Sequence, residues 1–251
     1  MMYIENVTVE NRLDNVNVKL PKNKQIHVIG PNGSGKSTFL AAIAGVIPFQ
    51  GRVELDGINV SELSLNELSK VRSYLAQNEK PVFNITVFEY LRLSLPEHVK
   101  QSPVTITNVV NHLVDLLNIR GKLSRSIHQL SGGEWQRVRI VGCCLQIWPE
   151  LNPDGRLLIL DEPSGPLDIG QEKYLYKLLD EVTAQGLTVI MANHDLNRSL
   201  RHAEHAVLFS NSELVAHGDI HHVITADNIK SVFHTGVQQF EIEDKRYLVF
   251  E

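Results

Sequence analysis

The sequence predicts an α/β fold in which a mixed core sheet is flanked by helices, with antiparallel strands at the N-terminus and an inserted helical segment. Three observations carry that expectation. Gln25–Ile29 ends in an apolar run stopped by Gly30, and beyond a glycine-rich loop Phe39, Leu40, Ile43 and Ala44 recur at helical spacing. Leu157–Leu160 and Thr188–Ala192 are apolar runs of strand length on either side of an amphipathic stretch, Gln171–Gln185, as a β-α-β unit buried on both faces requires. Between these two regions, Thr86–Leu95, Thr107–Ile119 and Ser131–Trp148 carry apolar residues at helical spacing, with breaks at Pro81, Pro96, Pro103 and Gly121.

In chain order, Tyr3–Val9 and Asn15–Leu20 alternate apolar and polar residues, as strands with one solvated face do. Lys36–Gly45 reads as a helix with Gly45 as its stop, Leu65–Arg72 as a short helix, and Ser73–Ala76 as a strand ending just before Gln77. The helical insertion is placed at about Glu79–Pro149, within one domain spanning residues 1–251. The turn cluster Asn152-Pro153-Asp154-Gly155 then returns the chain to the sheet. Beyond His205, strands are expected at Ala206–Phe209 and Glu213–Ala216, followed by short helices and a closing hairpin, Gln238–Glu243 with Arg246–Phe250.

Composition narrows the function classes. Hydrophobic residues at 43% and charged residues at 21% exclude a disordered, collagen-like or coiled-coil chain. Twenty-four basic against 29 acidic residues give a net charge of −5, so no global positive field draws the chain to nucleic acid or anionic lipid. Membrane association is expected only through a partner, because no apolar run approaches the roughly 20 residues of a span and Glu5 and Glu10 do not suit a secretory signal. Cys143 and Cys144 are adjacent, which disfavours a mutual disulfide and suggests reduced core thiols of a cytosolic protein. His202 with His205, and His217 with His221 and His222, are expected to be solvated, since no cysteine or matched carboxylate set accompanies them.

Three motifs carry chemistry. Gly30-Pro31-Asn32-Gly33-Ser34-Gly35-Lys36-Ser37, followed by Thr38, fits a phosphate-binding loop between a strand and a helix. Its glycines let backbone N–H groups turn toward phosphate oxygens, Lys36 neutralises the β- and γ-phosphates, and Ser37 offers a hydroxyl to Mg²⁺. Leu157-Leu158-Ile159-Leu160-Asp161-Glu162 places two carboxylates at the C-terminal end of a buried strand, the edge where open α/β sheets bind ligands. Asp161 is suited to hold Mg²⁺ through water, and Glu162 to orient and deprotonate the attacking water. Leu130-Ser131-Gly132-Gly133-Glu134-Trp135-Gln136 opens a helix both as a capping box, Ser131 with Glu134, and as a second anion-binding start, its glycines allowing close approach to a ligand.

The phosphate loop, Leu-Ser-Gly-Gly-Glu-x-Gln and Leu-Asp-Glu occur in that order, with Ser131 standing 95 residues after Lys36 and Asp161 a further 30 on. This arrangement resembles the ATP-binding cassette (ABC) ATPases, a P-loop NTPase type, over nearly the whole chain. The resemblance implies Gln77 as the glutamine-loop residue and a further Mg²⁺ contact, Leu167-Asp168 as the D-loop, and His194 as the switch histidine contacting the γ-phosphate. It also implies a head-to-tail homodimer around two ATP, in which Ser131, Gly132 and Gly133 act on the nucleotide held by the other copy's loop. The helical block between Gln77 and Trp148 resembles the subdomain that docks a membrane partner, with Pro81-Val82-Phe83 expected in the docking groove.

Two positions depart from the family pattern. Glu10-Asn11-Arg12 stands where an aromatic residue commonly stacks on adenine, leaving the guanidinium of Arg12 as the candidate, and Pro166 precedes Leu167-Asp168 where a small residue is usual. Within the family, Gly133–Arg139, Asn152-Pro153 and His194-Asp195-Leu196-Asn197 with Leu200–Ala203 are similar to the ATPase subunits of bacterial cobalamin (vitamin B12) importers, whose near relatives serve ferric siderophores and haem. That resemblance implies two transmembrane permease subunits, an indirect periplasmic substrate-binding protein and a peripheral position at the cytoplasmic face of the inner membrane. The alternatives are a ferric siderophore or haem importer, or a soluble cassette ATPase such as that of iron–sulfur cluster assembly. For the soluble enzyme, Lys-rich residues are expected in place of Trp135-Gln136-Arg137.

Overall fold

The computed structural model describes residues 1–77, 80–243 and 245–250. The expected start of the helical insertion at Glu79 lies outside the described residues. The chain begins with β1 (Met2–Val9), β2 (Leu13–Leu20), β3 (Gln25–Ile29), α1 (Lys36–Ile43), β4 (Gln50–Leu55), β5 (Ile58–Asn59), α2 (Leu65–Val71) and β6 (Arg72–Leu75). The helices α3 (Val87–Leu93), α4 (Pro103–Leu116) and α5 (Gly132–Ile147) follow, then β7 (Leu157–Leu160), α6 (Ile169–Ala184), β8 (Thr188–Ala192) and α7 (Leu196–His202). The last elements are β9 (His205–Ser210), β10 (Glu213–Asp219), α8 (Ile220–Val223), α9 (Ala226–Phe233) and the hairpin β11 (Val237–Ile242) and β12 (Lys245–Phe250).

The core sheet has the order β10-β9-β3-β8-β7-β6. Only β10 runs antiparallel to its neighbour, so the C-terminal ends of β3, β8, β7 and β6 share one edge. Alternation along the strands sorts the two faces. Ile26, Val28, Leu157, Ile159, Ile190 and Ala192 pack with α1 and the antiparallel sheet β2-β1-β4-β5, while Leu158, Leu160, Val189 and Met191 pack with α5, α6 and the helices before them.

Local chemistry fixes the helix ends that matter. Gly45 N–H donates to the Ala42 carbonyl at 2.9 Å and Val46 N–H to that of Ala41 at 3.1 Å, a paired closure that ends α1. The Arg72 side chain donates through Nε to the Ala44 carbonyl at 2.7 Å, bringing a cation to the same terminus. The helix α4 begins four residues before the expected Thr107 because Ser102 caps it and Pro103 occupies its first turn, where a missing N–H costs nothing. The sequence reading also omitted β4 and β5; in Gln50–Leu55 only Val53 and Leu55 are buried, too short an alternation to signal a strand.

Among the described residues no helix is long and apolar enough to cross a membrane. Cys143 and Cys144 are free thiols within α5, and burial pushes both above the ordinary thiol range. The histidine reading needs correction. His202, in the last turn of α7, stacks its ring on Tyr176 of α6 with centroids 3.8 Å apart, and burial lowers the pKa both of His202 and of His205 on β9.

The turn after α5 is held by one buried side chain. Asn152 Nδ2 donates to the carbonyls of Lys70 at 2.8 Å and Gln146 at 2.7 Å, while its Oδ1 accepts from the Asp154 N–H at 3.1 Å. Asn152→Ala removes these three hydrogen bonds of a fully buried side chain and is expected to lower stability by about 2–4 kcal/mol in urea denaturation, with ATP affinity unchanged.

Candidate functional site

The phosphate loop is assembled from its own backbone. Gly30 has φ +154, and a Cβ there would fall 2.4 Å from the Phe209 carbonyl oxygen and 2.5 Å from Ser34 Oγ, so β9 can lie against the loop only because this residue is glycine. The Lys36 ammonium donates to the carbonyls of Gly30 and Pro31, each at 2.9 Å, which hold the charge over the loop. Burial pulls the pKa of Lys36 down, against the opposing pull of Glu162 and Asp161.

The carboxylates arrive from the neighbouring strand ends. Asp161 follows β7 and is buried; its Oδ1 accepts from Ser37 Oγ at 3.1 Å. Burial raises its pKa, and the Ser37 hydrogen bond draws it partly back. A hydroxyl and a carboxylate oxygen side by side form a hard-oxygen donor pair that suits Mg²⁺, with further positions left to phosphate and water. Gln77, two residues beyond β6, donates through Nε2 to Glu162 Oε2 at 3.0 Å. Glu162 has φ +47, a left-handed conformation that costs a non-glycine residue about 1 kcal/mol or more. Its backbone is held by a hydrogen bond from Gly165 N–H at 3.3 Å, and Gln136 Nε2 donates to the adjoining Pro163 carbonyl at 3.1 Å.

These groups face one cavity of about 490 Å³, lined by Asn32, Gly33, Gly35, Lys36, Ser37, Thr38, Gln77 and Glu162, together with Asn11, Arg12 and Ser212. Asp161 lies beneath it through Ser37, whereas Gly30, Pro31 and Ser34 shape the loop from outside the lining. Ser212 is a residue that sequence reasoning missed. It forms with Asn211 the two-residue turn between β9 and β10, both at positive φ (69° and 48°), and its N–H donates to the Ser34 carbonyl at 3.2 Å. The sequence shows a turn there, but nothing local signals that it touches the loop.

Ser131, Gly132 and Gly133 do not line this cavity. They open α5 in a reciprocal capping box: Glu134 N–H donates to Ser131 Oγ at 3.2 Å, and Ser131 N–H to Glu134 Oε2 at 3.0 Å. The two glycines have different reasons. A Cβ on Gly133 would meet the Pro166 carbonyl at 2.9 Å and Gln171 Oε1 at 2.8 Å, so the chain's own packing already requires glycine here. At Gly132 the nearest atom is Pro166 Cβ at 4.0 Å, which leaves that position open. Asp168, just after Pro166 and Leu167, caps α6 by accepting at Oδ1 from Gln171 N–H at 2.8 Å. His194 follows β8, is exposed, and does not line the cavity. Val82 and Phe83 are also exposed, Phe83 at 59%, ahead of the exposed Phe88 on α3.

The sequence model of the ABC transporter family matches residues 13–165, and the chain is 51% identical over its full 251 residues to the vitamin B12 import ATP-binding protein BtuD of Vibrio cholerae, covering 100% of both. The chain belongs to the ABC transporter family. A BtuD of Vibrio atlanticus is 49% identical over 251 residues, again covering 100% of both chains. Among solved structures, an inward-facing putative metal-chelate type ABC transporter superposes with TM-score 0.77 at 22% identity, covering 100% of this chain and 96% of that one. The dimeric structure of a bacterial ABC transporter cassette superposes with TM-score 0.74 at 25% identity, covering 88% of this chain and 99% of the other. The fold is that of an ABC ATPase cassette, with ATP as its nucleotide.

The raised pKa of Asp161 has a consequence for stability. The folded chain binds this proton more tightly than the unfolded chain, so the ionised carboxylate subtracts stability at pH values above its folded pKa. Without nucleotide or metal, Asp161→Asn is therefore expected to raise the urea midpoint at pH 7. The gain should shrink as pH falls through the raised pKa and vanish below the ordinary Asp value of about 3.9. A lower midpoint for the variant at pH 7 would contradict this electrostatic assignment.

Proposed function

We propose that this chain is the ATP-hydrolysing subunit of a bacterial vitamin B12 importer, working as a homodimer on two transmembrane permease subunits at the cytoplasmic face of the inner membrane. A periplasmic substrate-binding protein delivers the vitamin to the permease and does not touch this chain. The observation that carries the reading is the meeting of Lys36, Ser37 and the Gln77–Glu162 pair in one cavity, with Asp161 beneath it on Ser37, in a chain 51% identical end to end to a vitamin B12 import ATP-binding protein.

Each residue has a role in that reaction. Backbone N–H groups from Gly33 to Thr38 and the Lys36 ammonium take the β- and γ-phosphates, while Arg12 offers its guanidinium plane to the adenine. Ser37, Asp161 and Gln77 would hold Mg²⁺, in part through water. Bound there, the ion would supply charge neutralisation to the nucleotide's phosphates. Glu162 orients the attacking water and takes its proton, and His194 contacts the γ-phosphate once the dimer closes. Ser131 and Gly132 present the capped start of α5 to the nucleotide of the partner copy. Exposed Val82, Phe83 and Phe88 give the permease an apolar docking surface.

Glu162→Gln is expected to cut ATP hydrolysis by about 10²- to 10⁴-fold while ATP binding persists. In cells lacking this chain, the wild type should restore uptake of labelled cobalamin and Glu162→Gln should not. Restoration of ferric siderophore uptake alone would overturn the substrate assignment but leave the ATPase standing.

A further inference from the structure

His194 is carried on a segment pinned from both sides by a buried polar cluster that makes no contact with the nucleotide cavity. Its neighbours in sequence are the pinned residues. Asn193 continues the sheet by donating its N–H to the Val28 carbonyl at 3.1 Å. Its side chain accepts at Oδ1 from the Asp195 N–H at 3.0 Å and donates through Nδ2 to Tyr176 Oη, on α6, at 3.2 Å. From the opposite side, Ser199 Oγ on α7 donates to the Asp195 carbonyl at 3.0 Å and lies 3.0 Å from Nδ1 of His27 on β3.

The shorter contacts select a tautomer. Ser199 gives its one hydroxyl proton to the Asp195 carbonyl and accepts from His27 Nδ1–H, each at 3.0 Å; Asn193 Nδ2, a donor only, lies 3.5 Å from the same Nδ1, at the edge of hydrogen-bonding range, and is engaged by Tyr176 Oη at 3.2 Å. His27 Nε2 is then a bare lone pair, with no hydrogen-bond partner among the described residues, which costs less than a buried N–H left alone. Burial, reinforced by nearby His202, keeps the ring neutral with its pKa pushed down to about 3. The result is a donor chain from His27 through Ser199 to the Asp195 carbonyl, in which each bond polarises the next. Together with Asn193, it holds the Asn193 N–H before His194 and both the N–H and the carbonyl of Asp195 after it, of which the Asp195 N–H belongs to the peptide that directly follows His194. Four elements, β3, β8, α6 and α7, meet at a polar cluster whose members are almost wholly buried, where apolar side chains would avoid the desolvation cost.

We propose that His27, Tyr176, Asn193 and Ser199 are positioning residues for ATP hydrolysis. They set the direction in which His194 is presented to the γ-phosphate. They also tie that direction to β3, which runs into the phosphate loop, and to α6, which leads out of the Leu167-Asp168 loop. This rests on the γ-phosphate contact of His194 proposed above.

The test is a set of double-mutant cycles in the full-length chain: Ser199→Ala and Tyr176→Phe, alone and combined with His194→Ala, measured as steady-state ATP hydrolysis. Each single variant is expected to lower kcat about five- to tenfold with the KM for ATP within about twofold, and to have no further effect once His194 is alanine. Losses that multiply in the His194→Ala background, or that appear in KM, would show a general structural role and overturn the proposal. Unchanged kcat in both single variants would overturn it while leaving the role of His194 intact. Unchanged kcat in His194→Ala alone would overturn the reading of His194 and, with it, the positioning of that residue.

Discussion

Parallel pairing of β3, β8, β7 and β6 is the constraint on which the site depends. Parallel strands in register end together, so Gly30, Asn193, Asp161 and Ala76 leave the sheet at one edge although they are scattered over more than half of the chain. That edge puts the Ser37 hydroxyl against Asp161 and the Gln77 amide against Glu162. Both faces of the sheet are buried under helices and the antiparallel sheet, and this double burial holds the register that aligns the four loops. Such an edge collects polar groups at the end of an apolar layer, which is where charge can be arranged with little water to screen it.

Within the site, local stability gives way to function at identifiable points. Asp161 is a buried carboxyl whose charge the fold disfavours, Lys36 is a cation held among carbonyls, and Glu162 stands in a left-handed conformation. Each is unfavourable for the isolated chain and suited to a polyphosphate with a divalent cation. The helix α5 follows another logic. Its capping box and Gly133 are satisfied inside the chain, so the start of α5 is a rigid, preformed surface with Gly132 left open on it. The same helix reaches back toward the cavity, because Arg139 Nη2 donates to the Ala76 carbonyl at 2.6 Å and Gln136 Nε2 to that of Pro163. One rigid element therefore adjoins both the Gln77 loop and the Glu162 turn.

Much of this was legible in the sequence because the chemistry is local. A glycine loop between strand and helix, a buried strand ending in Asp161-Glu162 and a capped helix start each announce themselves within a few residues. The strands β3, β7 and β8 have their expected bounds: Leu157–Leu160 is an unbroken apolar run, Val189–Ala192 is another behind Thr188, and β3, although Gln25 and His27 interrupt it, ends in Val28-Ile29 just before Gly30. What failed was non-local or ambiguous. Ser212 reaches the loop only through the β9–β10 pairing, and β4 hides its alternation behind Gly51 and Arg52. Pro103 was read as a break and is a start, which sequence alone cannot separate unless Ser102 is weighed as a cap. The buried contacts of His27 and His202 depend on how α6 and α7 lie on the sheet, and periodicity carries no such information.

The central claim is that the cavity binds ATP within one chain and is completed by Ser131 of another. The most direct measurement is ATP-dependent association of the Glu162→Gln chain, followed by light scattering with and without a second change, Ser131→Arg. Both proteins should bind ATP with similar affinity, and only the chain with intact Ser131 should form dimers. Dimers of the double variant, or loss of ATP binding by its monomer, would contradict a site completed in trans.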